Sequence, residues 1–124
     1  PEFEGKLTGN AIRVPTPDVS MAVLNLQFER EVTAEEINSH LEQVSLTGAL
    51  RTQIDYVESP EIVSTDFVGS NRAGIVDWLA TIATDDSAVI YVWYDNEYGY
   101  SCQVVRIIEQ LAGNHPAHLP ALQA

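Results

Sequence analysis

The sequence predicts an α+β fold: a mixed, mostly antiparallel sheet with helices on one face and a helix at the C-terminal end. Short runs rich in Val, Ile, Tyr and Trp recur along the chain. Two helical patterns are interspersed among these runs, and there is no regular alternation of strand and helix. With 124 residues the chain is long enough for one core, and we expect one domain.

Two strands are expected before the first helix. Residues 9–14 form the first strand, which ends at Pro15 and Pro17 because the two prolines hold an extended exit. Residues 21–30 form the second strand, and one of its faces is apolar. That face carries Ala22, Leu24, Leu26 and Phe28.

Arg13 is the first candidate site residue. It shares one face of the first predicted strand with the small Ala11. A planar guanidinium on a rigid strand suits a phosphate, because it can bind two oxygens at once. A solvated surface arginine is the alternative interpretation.

The clearest helix start lies at Thr33. Thr33 and Glu36 have the spacing of a capping box, and Val32 and Ile37 are placed as a hydrophobic staple. We expect a helix over residues 34–45 that packs on the sheet through Ile37, Leu41 and Val44. The side chains expected to face water are Glu35, Glu36, Asn38 and Glu42.

The second half of the chain contains four further predicted strands and a helix. Residues 50–57 and 62–67 are expected to pair as a hairpin, since the turn-forming segment Glu58-Ser59-Pro60-Glu61 separates them. Residues 79–84 are expected to pair with 88–94 across Asp85-Asp86-Ser87. Residues 73–78 form too short a run to assign. A helix is predicted over 101–112, and residues 114–124 form a Pro- and Ala-rich tail that we expect to be frayed.

The corner between the last strand and the final helix is the second candidate site. Its sequence is YVWYDNEYGYS, residues 91–101. Asn96 offers an amide side chain at a strand end, Tyr94 and Tyr100 flank it, and Gly99 lets another stretch of backbone approach. A turn with a capped helix explains Asp95 and Glu97 equally well, but leaves Asn96 and Tyr100 without a role.

Charge and composition restrict the function classes. A net charge of −12 and a pI near 4.3 argue against a nucleic-acid partner or an anionic membrane surface. The chain has no apolar run of membrane-spanning length, and its one cysteine excludes an internal disulfide. We therefore expect an intracellular protein. Because the sequence begins at Pro1 without an initiator methionine, we also expect it to be a fragment of a longer polypeptide.

Neither a catalytic thiol nor a metal site is expected. Cys102 lies near a predicted helix start, where a thiol pKa can fall, but no histidine is close to it in sequence. His40 belongs to the first helix, and His115 and His118 belong to the tail. An inert helical cysteine is therefore favoured over a nucleophile.

Three motifs resemble the closing third of phosphorylating glyceraldehyde-3-phosphate dehydrogenase. They are GKLTGNAIRVPTPDVS (residues 5–20), IVSTDFVGS (62–70) and VWYDNEYGYSCQVVRII (92–108). The resemblance extends from about residue 5 to 113 in the same order. It implies that residues 1–113 are the later part of an α+β catalytic domain with its final helix. It also implies that the NAD-binding Rossmann domain is absent from this chain.

The resemblance also implies roles for individual residues. Arg13 would bind the substrate phosphate or inorganic phosphate, and Asn96 would hold the nicotinamide carboxamide. Tyr100 would lie against the nicotinamide ring, and Tyr94 close to the reaction centre. The nucleophilic cysteine and the base histidine belong to preceding segments of the family, so this chain alone is expected to be inactive.

The same resemblance implies NAD or NADP as cofactor, a phosphorylated aldehyde and inorganic phosphate as substrates, a cytoplasmic location and a homotetramer. The chain departs from the common pattern at residues 21–25 (MAVLN), at Trp78 and at Cys102. An erythrose-4-phosphate dehydrogenase shares most of these motifs. A non-catalytic α+β module that binds an anion or a protein is the alternative of a different class.

Overall fold

The computed structural model describes residues 1–114, and it confirms the α+β class. A five-stranded sheet is combined with two α-helices and one short 3₁₀ helix. Residues 115–124 lie outside the described residues; they include most of the predicted tail, with His115 and His118. The elements in chain order are β1 (Ser20–Gln27), α1 (Ala34–Thr47), β2 (Ile54–Val57), the 3₁₀ helix (Ser64–Phe67), β3 (Gly74–Asp77), β4 (Ile82–Thr84), β5 (Ser87–Tyr94) and α2 (Tyr98–Leu111).

Strand β5 is the centre of the sheet. It pairs antiparallel with β1 along its whole length, from Ser20 opposite Tyr94 to Gln27 opposite Ser87. Its other edge is shared by β4 and β3, both antiparallel to it. Strand β2 then pairs with β3 in the parallel direction, so the sheet is mixed. The predicted pairing across the Asp85-Asp86 turn is confirmed as β4 and β5.

The main core lies between α1 and one face of the sheet. Ala88 and Ile90 of β5 and Val76 of β3 are buried there together with Val32 and Ile37. Helix α1 begins as predicted, because the Thr33 hydroxyl accepts the backbone N–H of Glu36 at 3.1 Å. The burial of these apolar side chains is the main force that holds α1 on the sheet.

A smaller apolar cluster occupies the opposite face near the end of β5. Val19, Phe67 and Ile75 are buried in it, and Trp93 packs against them. The rings of Phe67 and Trp93 are stacked, with their centroids 5.3 Å apart. This cluster fixes the 3₁₀ helix and the start of β1 against the end of β5, where the candidate site lies.

The predicted first strand, residues 9–14, is not a strand in the structure. These residues have no regular secondary structure, and all of them are exposed. Strand β1 is an edge strand of the described sheet, and it pairs with β5. Residues 9–14 therefore lack a partner strand, and the prolines that follow them hinder further pairing.

The predicted hairpin of residues 50–57 and 62–67 is also wrong. Residues 50–53 form a turn before β2, and residues 64–67 form the 3₁₀ helix. The Asp66 carboxylate accepts the backbone N–H of Val63 at 2.8 Å, and this local bond favours a turn over an extended strand. Strand β2 pairs instead with β3, which lies within residues 73–78, the run too short to assign from sequence.

Three further details differ from the sequence prediction. Asn38 is buried, at 4% exposure, and its Nδ2 donates to the carbonyl of Trp78 at 3.0 Å, which offsets part of the cost of burying the amide. Leu24 and Leu26 share the core face of the sheet but remain 42% and 37% exposed. The final helix begins at Tyr98, three residues earlier than expected.

Among the described residues, no helix is long and apolar enough to cross a bilayer.

Candidate functional site

Asp95 organises the corner at the end of β5. Its side chain is only 2% exposed, and its two oxygens accept backbone N–H groups from two separate segments. Oδ2 accepts from Gly69 at 2.8 Å. Oδ1 accepts from the first residues around the start of α2, namely Glu97 at 2.9 Å, Tyr98 at 2.6 Å and Gly99 at 3.4 Å. Asp95 therefore caps α2 and holds the loop after the 3₁₀ helix at the same time.

The pKa of the Asp95 carboxyl lies below its usual value of 3.8. Burial alone would raise this pKa, but the N–H groups of Gly69, Tyr98, Glu97 and Gly99 stabilise the charged form and together outweigh burial. Asp95 is thus a structural anion, and it is not placed to act as a proton donor near neutral pH.

Helix α2 is tied to the loop at residues 69–72 by close backbone approach and by polar contacts. A Cβ atom on Gly99 would lie 2.8 Å from the carbonyl oxygen of Arg72, so only glycine fits there without displacement. Gln103 and Arg106 both donate to the carbonyl of Asn71, at 3.1 and 3.0 Å. The predicted backbone approach at Gly99 is confirmed.

Asn96 lies next to Asp95 and is exposed. Its Oδ1 accepts a hydrogen bond of 2.8 Å from the hydroxyl of Ser20, the first residue of β1. Ser20 faces Tyr94 in the register of the sheet, so Ser20, Tyr94 and Asn96 meet at one end of the β1–β5 pair. The sequence prediction found Tyr94 and Asn96 but missed Ser20, because the pairing of β1 with β5 is not evident from local sequence.

Tyr100 and Tyr94 differ in their surroundings. Tyr94 ends β5 and is half-buried. Tyr100 lies in the first turn of α2 and is 68% exposed, and so it presents a ring to any group that approaches this corner. An amide with an exposed end and an exposed aromatic ring on neighbouring turns can hold a flat polar ligand.

Arg13 lies in the exposed segment that leads into β1. Among residues 1–114 it makes no ion pair, so its guanidinium is available to an anion. Six residues lie between it and Ser20, and this stretch spans at most about 25 Å when extended. Among residues 1–114, no hydrogen bond or ion pair joins Arg13 to the corner, whereas the sheet register and one hydrogen bond bring Ser20, Tyr94 and Asn96 together.

Cys102 lies in a groove on the surface of α2. The thiol is half-buried on α2, in a shallow groove with Tyr98, Ser101, Val105, Arg106 and Glu109. Of the residues that the structure describes, no histidine lines this groove. Within residues 1–114 there is also no group of three or more His, Cys, Asp or Glu side chains that could hold a metal ion.

A family model described as the C-terminal domain of glyceraldehyde 3-phosphate dehydrogenase matches residues 1–96. The chain belongs to this family. The match includes Arg13, Ser20, Tyr94 and Asn96, and it ends just before α2. The predicted family and fold class are thereby confirmed.

Relatives with the family name cover nearly the whole chain. A glyceraldehyde-3-phosphate dehydrogenase-like protein of Pseudomonas aeruginosa (strain UCBPP-PA14) is 61% identical over 120 residues, which are 97% of this chain and 26% of that protein. A cytosolic glyceraldehyde-3-phosphate dehydrogenase of Ginkgo biloba is 45% identical over 113 residues, 90% of this chain and 33% of the relative. The enzyme of Eremothecium gossypii is 44% identical over 92% of this chain and 34% of its own length. The chain thus spans between a quarter and about a third of these relatives.

Proposed function

We propose that residues 1–113 are the later part of the catalytic domain of an NAD- or NADP-dependent phosphorylating dehydrogenase that oxidises glyceraldehyde 3-phosphate. The observation that supports this proposal best is the exposed amide of Asn96, held by Ser20 beside Tyr94, in a chain of the glyceraldehyde-3-phosphate dehydrogenase family. The names of the relatives support the reaction class.

The residues at the corner fit a nicotinamide group. Asn96 can hydrogen-bond to the carboxamide, because the residue is exposed and only the oxygen of its amide is held by Ser20. The exposed ring of Tyr100 can pack against the flat nicotinamide, and Tyr94 can border the reacting carbon. When bound, the dinucleotide would accept the hydride from the substrate.

Arg13 would bind phosphate oxygens, either those of the aldehyde substrate or those of inorganic phosphate. Its guanidinium is exposed and makes no ion pair within residues 1–114, which leaves it available for a charge-assisted pair of hydrogen bonds. The nucleophilic cysteine and the base histidine would come from other parts of the complete protein. This chain would then contribute positioning and charge complementarity to the reaction.

The assembly and location follow the family in this proposal. We propose a homotetramer and a cytoplasmic location, and several relatives carry the word cytosolic in their names. The net charge of −12 does not favour a nucleic-acid partner or an anionic membrane.

The proposal is tested with the complete polypeptide that contains these residues. Purified protein is mixed with NAD, inorganic phosphate and glyceraldehyde 3-phosphate, and reduced dinucleotide is followed by absorbance. Parallel assays replace NAD by NADP and the aldehyde by erythrose 4-phosphate, and they assign the cofactor and the substrate. The 124-residue chain is the control and should show no turnover. A complete protein that turns over neither aldehyde, or turnover by the isolated chain, would contradict the proposal.

A further inference from the structure

The hydrogen bond between Ser20 and Asn96 gives the Asn96 amide a direction. The hydroxyl of Ser20 donates to Oδ1 at 2.8 Å, so the oxygen end of the amide is turned toward β1. The Nδ2 group is on the other side of the planar amide and therefore points away from Ser20. Because Asn96 is exposed, its Nδ2 can donate to a group outside the sheet.

Asn96 is held at its backbone as well as at its side chain. The residue before it, Asp95, is buried and accepts the N–H groups of Glu97 and Tyr98. These bonds enclose Asn96 within the capped turn that starts α2. The Asn96 backbone cannot rotate away without breaking the cap.

Ser20 is fixed from its own side. It faces Tyr94 in the sheet register, and the preceding residue, Val19, is buried with a φ of 68°. Positive φ is costly for a β-branched residue, so the surrounding structure must hold Val19 in place. Val19 belongs to the apolar cluster with Phe67 and Ile75, and this packing sets the direction in which the chain enters β1.

We propose that Ser20 is a positioning residue that makes Asn96 a hydrogen-bond donor to the carbonyl oxygen of the nicotinamide carboxamide. This inference rests on the proposed function, because it takes the dinucleotide as the ligand of Asn96. It goes further by naming the residue that sets the orientation of the Asn96 amide. Without the Ser20 hydroxyl the amide of Asn96 can turn over and present its oxygen, which would repel the carbonyl oxygen of the ligand.

The test uses the complete dehydrogenase and three dinucleotides. NAD carries the full carboxamide, the acetylpyridine analogue keeps the carbonyl oxygen but lacks the NH₂ group, and the thionicotinamide analogue replaces the oxygen by sulfur, a weaker acceptor. Ser20→Ala is expected to lower the binding affinity for NAD and for the acetylpyridine analogue by about fivefold each, as for one lost hydrogen bond. The same substitution should lower the affinity for the thionicotinamide analogue by less than about twofold, since the weaker acceptor loses little hydrogen-bond energy.

Two matched variants separate positioning from a general loss of structure. Ser20→Thr keeps a hydroxyl on the same strand position and should restore wild-type affinity for all three dinucleotides. The double variant Ser20→Ala/Asn96→Ala should bind NAD no more weakly than Asn96→Ala, because the two side chains act as one unit. Thermal unfolding of each variant checks that the fold is retained.

The outcomes distinguish the inference from the proposed function. If Asn96→Ala weakens NAD binding but Ser20→Ala does not, the role of Ser20 is wrong while the proposed function stands. The role of Ser20 is also wrong if Ser20→Ala lowers the affinity for all three dinucleotides equally, or if Ser20→Thr does not keep the wild-type affinity. If Asn96→Ala leaves NAD binding unchanged, the assignment of Asn96 as a nicotinamide ligand is wrong, and the inference about Ser20 is overturned with it.

Discussion

The Asp95 carboxylate accepts the backbone N–H of Gly69 at 2.8 Å and so joins two segments that are 26 residues apart in sequence. The same carboxylate caps α2 through the N–H groups of Glu97 and Tyr98. One buried anion therefore fixes both the loop that approaches Gly99 and the turn that carries Asn96. The geometry of the candidate site depends on this residue, although Asp95 itself does not face solvent.

Asp95→Asn should destabilise the chain by about 2 kcal/mol, because an NH₂ group replaces an oxygen that accepts backbone N–H bonds. The measurement is urea unfolding near neutral pH. Asp18→Asn makes the same chemical change outside this network and should have a much smaller effect. Equal stability of the two variants would contradict the assigned role of Asp95.

The contribution of Asp95 should also depend on pH. Its pKa in the folded state is lower than in the unfolded state, so the unfolded chain takes up the proton first as the pH falls. The stabilisation is complete above the ordinary value of 3.8 and is lost as the pH falls through the lowered folded pKa. Hence the stability difference between wild type and Asp95→Asn should shrink in acid. If this stability difference stayed constant from neutral pH to the lowest pH at which the chain still folds, the lowered pKa would be contradicted.

Gly99→Ala should displace α2 from the loop at residues 69–72. The added Cβ would lie 2.8 Å from the Arg72 carbonyl oxygen and 3.2 Å from that of Ser70, so one of the two segments must move. We expect a net destabilisation of about 1–2 kcal/mol, since alanine also favours the helix by up to about 1 kcal/mol. Urea unfolding measures this cost, and faster amide hydrogen exchange in α2 locates it. Gly9→Ala, at a position with open space, should change neither quantity.

Asn38→Asp should be more destabilising at neutral pH than in acid. The Nδ2 of Asn38 donates to the Trp78 carbonyl, and its buried Oδ1 has no hydrogen-bond partner among the described residues. A charged carboxylate there would face that carbonyl without a donor, at a cost of at least about 2 kcal/mol. Protonation restores a donor, so the folded pKa is raised and stability falls as the pH rises through it. Ser39→Asp adds the same charge at an exposed neighbour and should show neither effect.

Arg13→Ala in the complete protein should raise the KM for phosphate and for the aldehyde by at least about tenfold, as for a lost charge-assisted contact. The dinucleotide Kd should change by less than about twofold, because Arg13 is assigned to the anion and not to the nicotinamide. Steady-state kinetics and dinucleotide titration give the two values. Lys6→Ala removes a charge from the same exposed lead-in segment and serves as the control. A larger loss in dinucleotide binding than in phosphate use would reverse the assignment.

Cys102→Ser should leave the turnover of the complete protein within about twofold of wild type, because a thiolate nucleophile needs a nearby base. Within residues 1–114, the groove around Cys102 contains Arg106 and Glu109 but no histidine. The comparison requires only steady-state kinetics. A loss of turnover of several orders of magnitude would identify Cys102 as a reacting group.

Sequence alone determined the features that depend on local chemistry. The α+β class followed from the spacing of apolar residues, the start of α1 from the Thr33 cap, and the β4–β5 hairpin from the turn at Asp85 and Asp86. The family also followed from sequence, since its motifs are long and ordered. Tyr94, Asn96 and Arg13 were selected as candidates on the same basis.

Only the tertiary structure decided which segments pair and which polar groups meet. Residues 9–14 have strand-like sequence but no partner strand, and β2 joins β3 across the 3₁₀ helix. Ser20 became part of the site because the register of β1 on β5 places its hydroxyl against Asn96. Likewise, one of the hydrogen bonds that the buried Asp95 accepts comes from Gly69, which is distant along the chain. Pairing and burial are properties of contacts between remote residues, and local composition does not encode them.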